Sequence, residues 1–324
     1  MKHYLNILED DTQWYEQISR WAAEHIDLLI VSAVVSLLLV IALIIAIYKI
    51  IRIRRKSESK LAEKNKQIRH THSQLMASVN YASRIQRAVM SNINDVSALF
   101  PENFVLYRPR DIVGGDYYKA LRCGRYSVMI TADCTGHGIP GALLSMLGLT
   151  GLKEYMQTEQ DAENPGTVLD RMRTFIKTTL VGQQGGVTLD DGMDMTICSF
   201  DFDNMEIRYA IANQTAIIVR GNEAIKLKGD SMPVGRYIRE KEHFKTQTVK
   251  IEKGDMVYMC SDGLQDQLGG NDCRKFLLRN LIDTLIEIHD EPLIEQCITL
   301  EQTIITWRRG TPQIDDMTMV GIKV

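Results

Sequence analysis

The rhythm of hydrophobic positions changes twice along the chain. From Leu28 to Ile47 they run unbroken, LLIVSAVVSLLLVIALIIAI, twenty residues with two serines and no charge. As a helix this run spans about 30 Å, the thickness of a bilayer's hydrocarbon core, and so predicts a transmembrane helix. Residues 57–94 contain no Pro or Gly, and Leu61, Ile68, Leu75, Ala82 and Val89 recur every seven residues, with Val79 and Ile93 at the companion spacing. That periodicity predicts a long linker helix. Asn65, His72 and Gln86 break its second apolar column, which leaves two arrangements open: a dimeric coiled coil, or a helix packed on the domain that follows.

Beyond Pro101 the apolar runs become short and are separated by turn residues. Strands are expected at Phe104–Tyr107, Tyr117–Leu121, Tyr126–Ala132, Met195–Phe200, Ile207–Ala212, Ala216–Arg220, Lys245–Val249, Met256–Cys260 and Met317–Ile322. Pro140 is well placed as a first helical residue for a helix ending near Met156, and another helix is expected over about Thr167–Leu180. Two more, about Arg274–His289 and Leu293–Trp307, flank Pro292. Strands gathered in the middle, with helices in pairs, predict an α+β sandwich of two sheets flanked by helices rather than alternating βαβ units. The chain then reads as a short extracytoplasmic segment (1–27), a transmembrane helix (28–48), a basic juxtamembrane and linker helix (49–96) and a globular domain (97–324).

With 45% hydrophobic and 24% charged residues, the 324-residue chain is not disordered, collagenous or disulfide-dense. Its net charge of −3 is unevenly spread: residues 49–69 hold nine Lys/Arg and two Glu, +7, so the remainder sums to −10. A basic block this local fits a membrane leaflet or a single polyanion surface, and no nucleic-acid partner is expected. Lys49, Arg52, Arg54, Arg55 and Lys56 directly follow the apolar run, which predicts an N-terminus outside and a cytoplasmic remainder. Before the run stand Glu9, Asp10, Asp11, Glu16, Glu24 and Asp27 in place of the basic start of a cleavable signal peptide. Trp14, Tyr15, Ile18 and Trp21 form a stripe suited to the outer interface, but residues 1–26 are too few for a sensor domain with its own core. Six cysteines without a CxxC pair read as reduced thiols, and the dispersed His and Cys give no zinc spacing.

Four acidic motifs stand at strand ends or turns: Gly114-Gly115-Asp116, the run Ala132 to Gly138 (ADCTGHG), Ser261-Asp262-Gly263, and Asp315-Asp316-Met317-Thr318. One Asp-Gly pair is ordinary turn chemistry. Several carboxylates presented together suit hard divalent cations, magnesium or manganese rather than zinc or copper. A pair of such ions about 4 Å apart activates water and stabilises charge developing on a phosphoryl group.

The ordered set RDIVGGDYY, ITADCTGHGIPGALLSML, DGMDMT, YAIANQTA, PVG, YMCSDGLQDQ and DDMTMVGIKV resembles the SpoIIE/RsbU-type branch of the metal-dependent PPM protein phosphatases over about residues 80–324. The resemblance implies a PPM-type β-sandwich and a membrane-anchored serine/threonine phosphoprotein phosphatase of the bacterial cytoplasmic membrane. It implies two Mn2+ or Mg2+ ions held by Asp116, Asp133, Asp262, Asp315 and the main-chain carbonyl of Cys134, with Asp133 between them. Water activated by the ions attacks phosphorus in line, without a covalent phosphoenzyme. A cysteine-phosphatase route needs Cys-x5-Arg, whereas Cys134 is followed by Thr135 to Ile139 and then Pro140.

His137 is either the acid that protonates the leaving oxygen or a loop histidine that fixes the turn. Arg110 either grips the substrate phosphate or is exposed without a role. Asp191, Asp194 and Asp266 are candidates for a weaker third ion, Asp266 the foremost, with capping or surface roles as the alternative. Asn213–Thr215 and Pro233-Val234-Gly235 look like scaffold without chemistry. The implied substrate is a phosphorylated cytoplasmic regulatory protein such as an anti-sigma-factor antagonist, and the linker helix is expected to form a homodimer. The competing reading is a catalytically silent, membrane-anchored phosphatase-like scaffold.

Overall fold

The computed structural model describes residues 14–180 and 191–324. The chain divides into two units, Met1–Leu75 and Met76–Val324. In the first, residues 14–24 are helical, and a 64-residue helix, Ile26–Val89, starts after them and continues into the second. Every residue of the apolar run is exposed, so no protein surface covers it, and the helix is long and apolar enough to cross a membrane. Leu61, Ile68 and Leu75 are exposed as well.

Among the described residues of the second unit thirteen strands follow one another. They are β1 (Asn103–Arg108), β2 (Tyr117–Cys123), β3 (Tyr126–Cys134), β4 (Gly192–Asp201), β5 (Glu206–Ala212), β6 (Thr215–Arg220) and β7 (Glu223–Lys226). After these come β8 (Val234–Gly235), β9 (Gln247–Lys250), β10 (Met256–Cys260), β11 (Leu268–Gly269), β12 (Arg274–Lys275) and β13 (Met317–Lys323). Two antiparallel sheets carry the fold, in the orders β1-β13-β10-β6-β7 and β2-β3-β4-β5-β9, with β8 paired to the start of β4.

Alternate side chains of the central strands face opposite ways, and each face is covered. Met129, Cys198, Ile211, Ile218, Val257 and Val320 meet between the sheets. Ile130, Ala132, Met195 and Ile197 face the helices Gly138–Tyr155 and Pro165–Thr179. Ile217, Tyr258 and Met319 face the helices Leu278–Ile288 and Leu293–Arg308. The result is a helix–sheet–sheet–helix sandwich. Burial on both faces explains why these strands read as continuous apolar runs rather than alternating ones.

The expected sandwich is present, with local differences. The helix expected from Pro140 opens at Gly138, with Pro140 still in its first turn, where its missing N–H costs nothing. The helix expected from Arg274 begins at Leu278 instead, because Arg274–Lys275 pairs with β11 and Leu277 has φ 73°. Two short helices, Ile93–Leu99 and Glu159–Glu163, escaped the periodicity because each is fixed by a capping box, Asn92/Asp95 and Thr158/Asp161, rather than by an apolar stripe.

Candidate metal centre

The acidic motifs converge because the strands that carry them end at one edge of the sandwich. Asp133, near the end of β3, stands in register with Asp194 on β4. β10 and β13 are antiparallel neighbours, so Asp262, just after β10, and Asp315, just before β13, come together. Asp133, Cys134, Asp194, Asp262 and Asp315 line one cavity of about 210 Å3, with Thr135, Gly136, Met193 and Pro233. None of these lining residues is a cation.

Asp116 leads into β2 and is 1% exposed. Its Oδ2 accepts a 2.7 Å hydrogen bond from Ser261 Oγ, while its Oδ1 is buried with no hydrogen-bond partner among the described residues. Burial, opposed in part by Thr318 and Ser261, raises the Asp116 carboxyl above the usual range. Asp133 is pushed much higher, by burial and then by Asp116, Asp262, Asp315 and Asp194 around it. Asp194 is raised to about 7, chiefly by burial.

Among the described residues, no three His, Cys, Asp or Glu side chains form a closed ligand cage. The donor set nonetheless fits hard divalent cations: oxygen donors only, one orphaned buried oxygen, and like charges directly opposed across β3 and β4. A soft-metal reading, which needs several thiolate or imidazole ligands, does not fit: the lining holds one cysteine, Cys134, and no histidine.

Tight backbone contacts set the geometry. A Cβ on Gly115 would stand 2.7 Å from the carbonyl oxygen of Gly136 and 3.0 Å from that of Cys134, so only glycine lets the GGD turn lie against the ADCTGHG main chain. Gly136 itself has φ 82°, a left-handed conformation that β-carbons disfavour.

Three positioning residues went unrecognised in the sequence. Asp316, 2% exposed, accepts from the backbone N–H groups of Arg110 and Gly115 at 2.6 Å each and of Asp116 at 3.4 Å, stapling GGD to DDMT. The doubled Asp was its one signal. Asn213, at φ 55°, donates at 2.8 Å to Asp194 Oδ2, so the NQT turn read as bare scaffold holds a cavity carboxylate. Gln86, read as a flaw in the heptad, is buried, and its Nε2 donates at 2.7 Å to both the Gly114 carbonyl and Ser145 Oγ. Together with buried Ser83 and Met90, it seats the last turns of the long helix on the domain that follows.

Other expected participants lie elsewhere. His137 is exposed, with Nδ1 3.2 Å from Asp111 Oδ2, and does not line the cavity, although it follows cavity-lining Gly136. Arg110 is also exposed and outside the lining, its guanidinium donating to the Ile314 carbonyl at 3.0 Å. Asp266, foremost of the third-ion candidates by sequence, is ion-paired with Lys275 at 2.6 Å and is not in the cavity lining. Asp191 is not in the lining either, which leaves Asp194 as the third-ion candidate that is.

A two-sheet sandwich flanked by helices, with carboxylates gathered at one sheet edge, is the PP2C-type phosphatase architecture. The SiaA-PP2C domain of Pseudomonas aeruginosa superposes with a TM-score of 0.70 at 27% identity, covering 78% of this chain and 98% of that one. The PP2C domain with a regulatory fragment of SpoIIE from Bacillus subtilis gives a TM-score of 0.54 at 16% identity, over 68% of this chain and 62% of that one.

The model of the family described as Stage II sporulation protein E (SpoIIE) matches residues 123–324, and the chain belongs to that family. It carries a PP2C-family serine/threonine phosphatase domain. Protein IcfG of Synechocystis sp. is 20% identical over 239 residues, 67% of this chain; the match spans only 37% of that relative's length.

Proposed function

We propose that the chain is a divalent-cation-dependent phosphatase that hydrolyses phosphoserine or phosphothreonine on a cytoplasmic regulatory protein. The observation that carries this reading is four carboxylates, Asp133, Asp194, Asp262 and Asp315, lining one cavity that holds no cationic side chain in its lining, with Asp116 buried beside them. Asp116, Asp133, Asp262, Asp315 and the Cys134 carbonyl would hold two Mn2+ or Mg2+ ions, with Asp194 available to a weaker third. When bound, the ions supply positive charge for the phosphoryl oxygens and make water a nucleophile at neutral pH.

The chain's own groups prepare that site. Asp316 and Ser261 fix Asp116, Asn213 fixes Asp194, and the glycine contacts hold the two loops together. Arg110 binds the substrate phosphate as substrate is seated, and His137, oriented by Asp111, protonates the departing seryl or threonyl oxygen.

Residues 28–48 anchor the enzyme in the bacterial cytoplasmic membrane with the N-terminus outside, and the basic run 49–69 rests on the anionic inner leaflet. The exposed Leu61, Ile68 and Leu75 pair two copies through the linker. The family resemblance suggests an anti-sigma-factor antagonist as substrate.

The test is phosphate release from p-nitrophenyl phosphate and from a phosphoserine peptide by the full chain in detergent, with manganese or with EDTA. Turnover is expected in manganese only, and to be lost in Asp133→Asn. A folded protein that binds manganese and turns over neither substrate would instead be the silent scaffold.

A further inference from the structure

A second, open cavity of about 520 Å3 lies in the same unit, between the end of the long helix and the loop after β1. Arg84 and Arg87 line it, with Asn80 on the helix side and Pro109, Asp111 and Ile112 opposite. Three residues apart, the arginines share one helix face, and both are exposed. Among the described residues neither makes an ion pair, and the one carboxylate in the lining, Asp111, is already 3.2 Å from His137.

One contact joins this groove to the carboxylate cavity: Asp111, in the groove's lining, meets His137, the neighbour of cavity-lining Gly136. An extended peptide advances about 3.3 Å per residue, so a substrate with its phosphoserine in the cavity has near neighbours within reach of the groove. Two unpaired guanidinium groups on one face suit carboxylates, which each can grip through two N–H bonds.

We propose that this groove docks an acidic segment of the phosphoprotein substrate, with Arg84 and Arg87 binding carboxylates that flank the phosphorylated residue. The assignment rests on the phosphatase reading and names a substrate feature that reading leaves open. It also supplies the attraction that the acidic cavity lacks: a substrate rich in Asp and Glu is drawn to the rim beside carboxylates that repel it.

Two fluorescein-labelled phosphoserine peptides test it, one with three Glu on each side of the phosphoserine and one with Gln there. Affinity for the full chain in detergent is read by anisotropy in EDTA, and kcat and KM are measured in manganese. The acidic peptide is expected to bind about tenfold more tightly and to show the lower KM, an advantage that shrinks as salt is raised. R84Q/R87Q should reduce the advantage to less than about twofold, and R84E/R87E should reverse it. Hydrolysis of p-nitrophenyl phosphate should stay unchanged in both variants. Equal affinity of the wild type for the two peptides, or an advantage that survives R84E/R87E, overturns the groove. Absence of turnover on every substrate overturns the phosphatase reading instead, and the anisotropy ratio still decides the groove.

Discussion

Two sets of aspartates in the same domain are treated in opposite ways. Away from the cavity each is matched: Asp255 by Arg220 and the Glu252 N–H, Asp230 by Lys241 and the Lys245 N–H, Asp201 by Arg125 and Asn204, Asp161 by Arg171 and Thr158. At the cavity Asp133 faces Asp194 across the ladder, with Asp262 and Asp315 beside it, and one oxygen of Asp116 has no donor among the described residues. Like charges crowded together without partners repel one another, so a fold keeps several carboxylates around one cavity where something from outside completes them. Asp316 marks the boundary between the two sets: it lies next to Asp315 in the chain yet is filled by three backbone N–H groups.

The largest expected contrast comes from substituting one aspartate of each kind. Asp133→Asn should lower kcat by at least about 10^2- to 10^3-fold while raising the thermal midpoint of the EDTA-treated protein, since it removes a carboxyl that must take up a proton on folding at neutral pH. A variant less stable in EDTA than wild type would break the contrast. Asp316→Ala should do the reverse to stability: three N–H groups lose their acceptor, at a cost of about 2–4 kcal/mol in urea unfolding.

The pH dependence of the metal-free protein separates the sets next. Asp116 and Asp194, raised to about 7, and the more strongly raised Asp133 hold protons in the folded state that the unfolded chain releases near pH 4. Their contribution is therefore fully present below the unfolded value and lost as pH rises through the folded ones, so in EDTA the midpoint should fall from pH 6 to pH 8. Asp161 has the opposite sign: the hydrogen bonds from Thr158, Gln157 and Arg171 outweigh burial and lower its pKa, and its contribution fades only as pH falls below about 4. Manganese should flatten the pH 6 to 8 slope by replacing the protons, and a slope unchanged by manganese would mean that the ion binds elsewhere. Calorimetry at two pH values decides this.

The smallest expected effect belongs to Gln86→Met, which keeps bulk but withdraws the donor from the Gly114 carbonyl and from Ser145. A loss of about 1–2 kcal/mol in urea unfolding, with a raised manganese requirement, would show that the helix end supports the GGD turn.

How much could be read in advance follows the range of the interactions. The sandwich strands were legible because each is a short apolar run bounded by turn residues, and the acidic motifs because Asp and Gly are adjacent in the chain. Gln86, Asn213 and Asp316 were misread or overlooked because their partners lie far off: 28 and 59 residues away for Gln86, 19 for Asn213 and up to 206 for Asp316. A polar residue in an apolar column looks like a defect until the carbonyl it serves is in view. Asp266 is a neighbour of Asp262, as their spacing suggests, but its ion pair with Lys275 was again visible only in the fold.

The chain by itself determined the apolar span, the sheet-forming runs and the acidic turns, because each depends on neighbours within a few residues. Only the tertiary structure decided which aspartates are filled and which stand open. That depends on where β3, β4, β10 and β13 end relative to one another, and on which backbone N–H groups the intervening loops bring to each carboxylate.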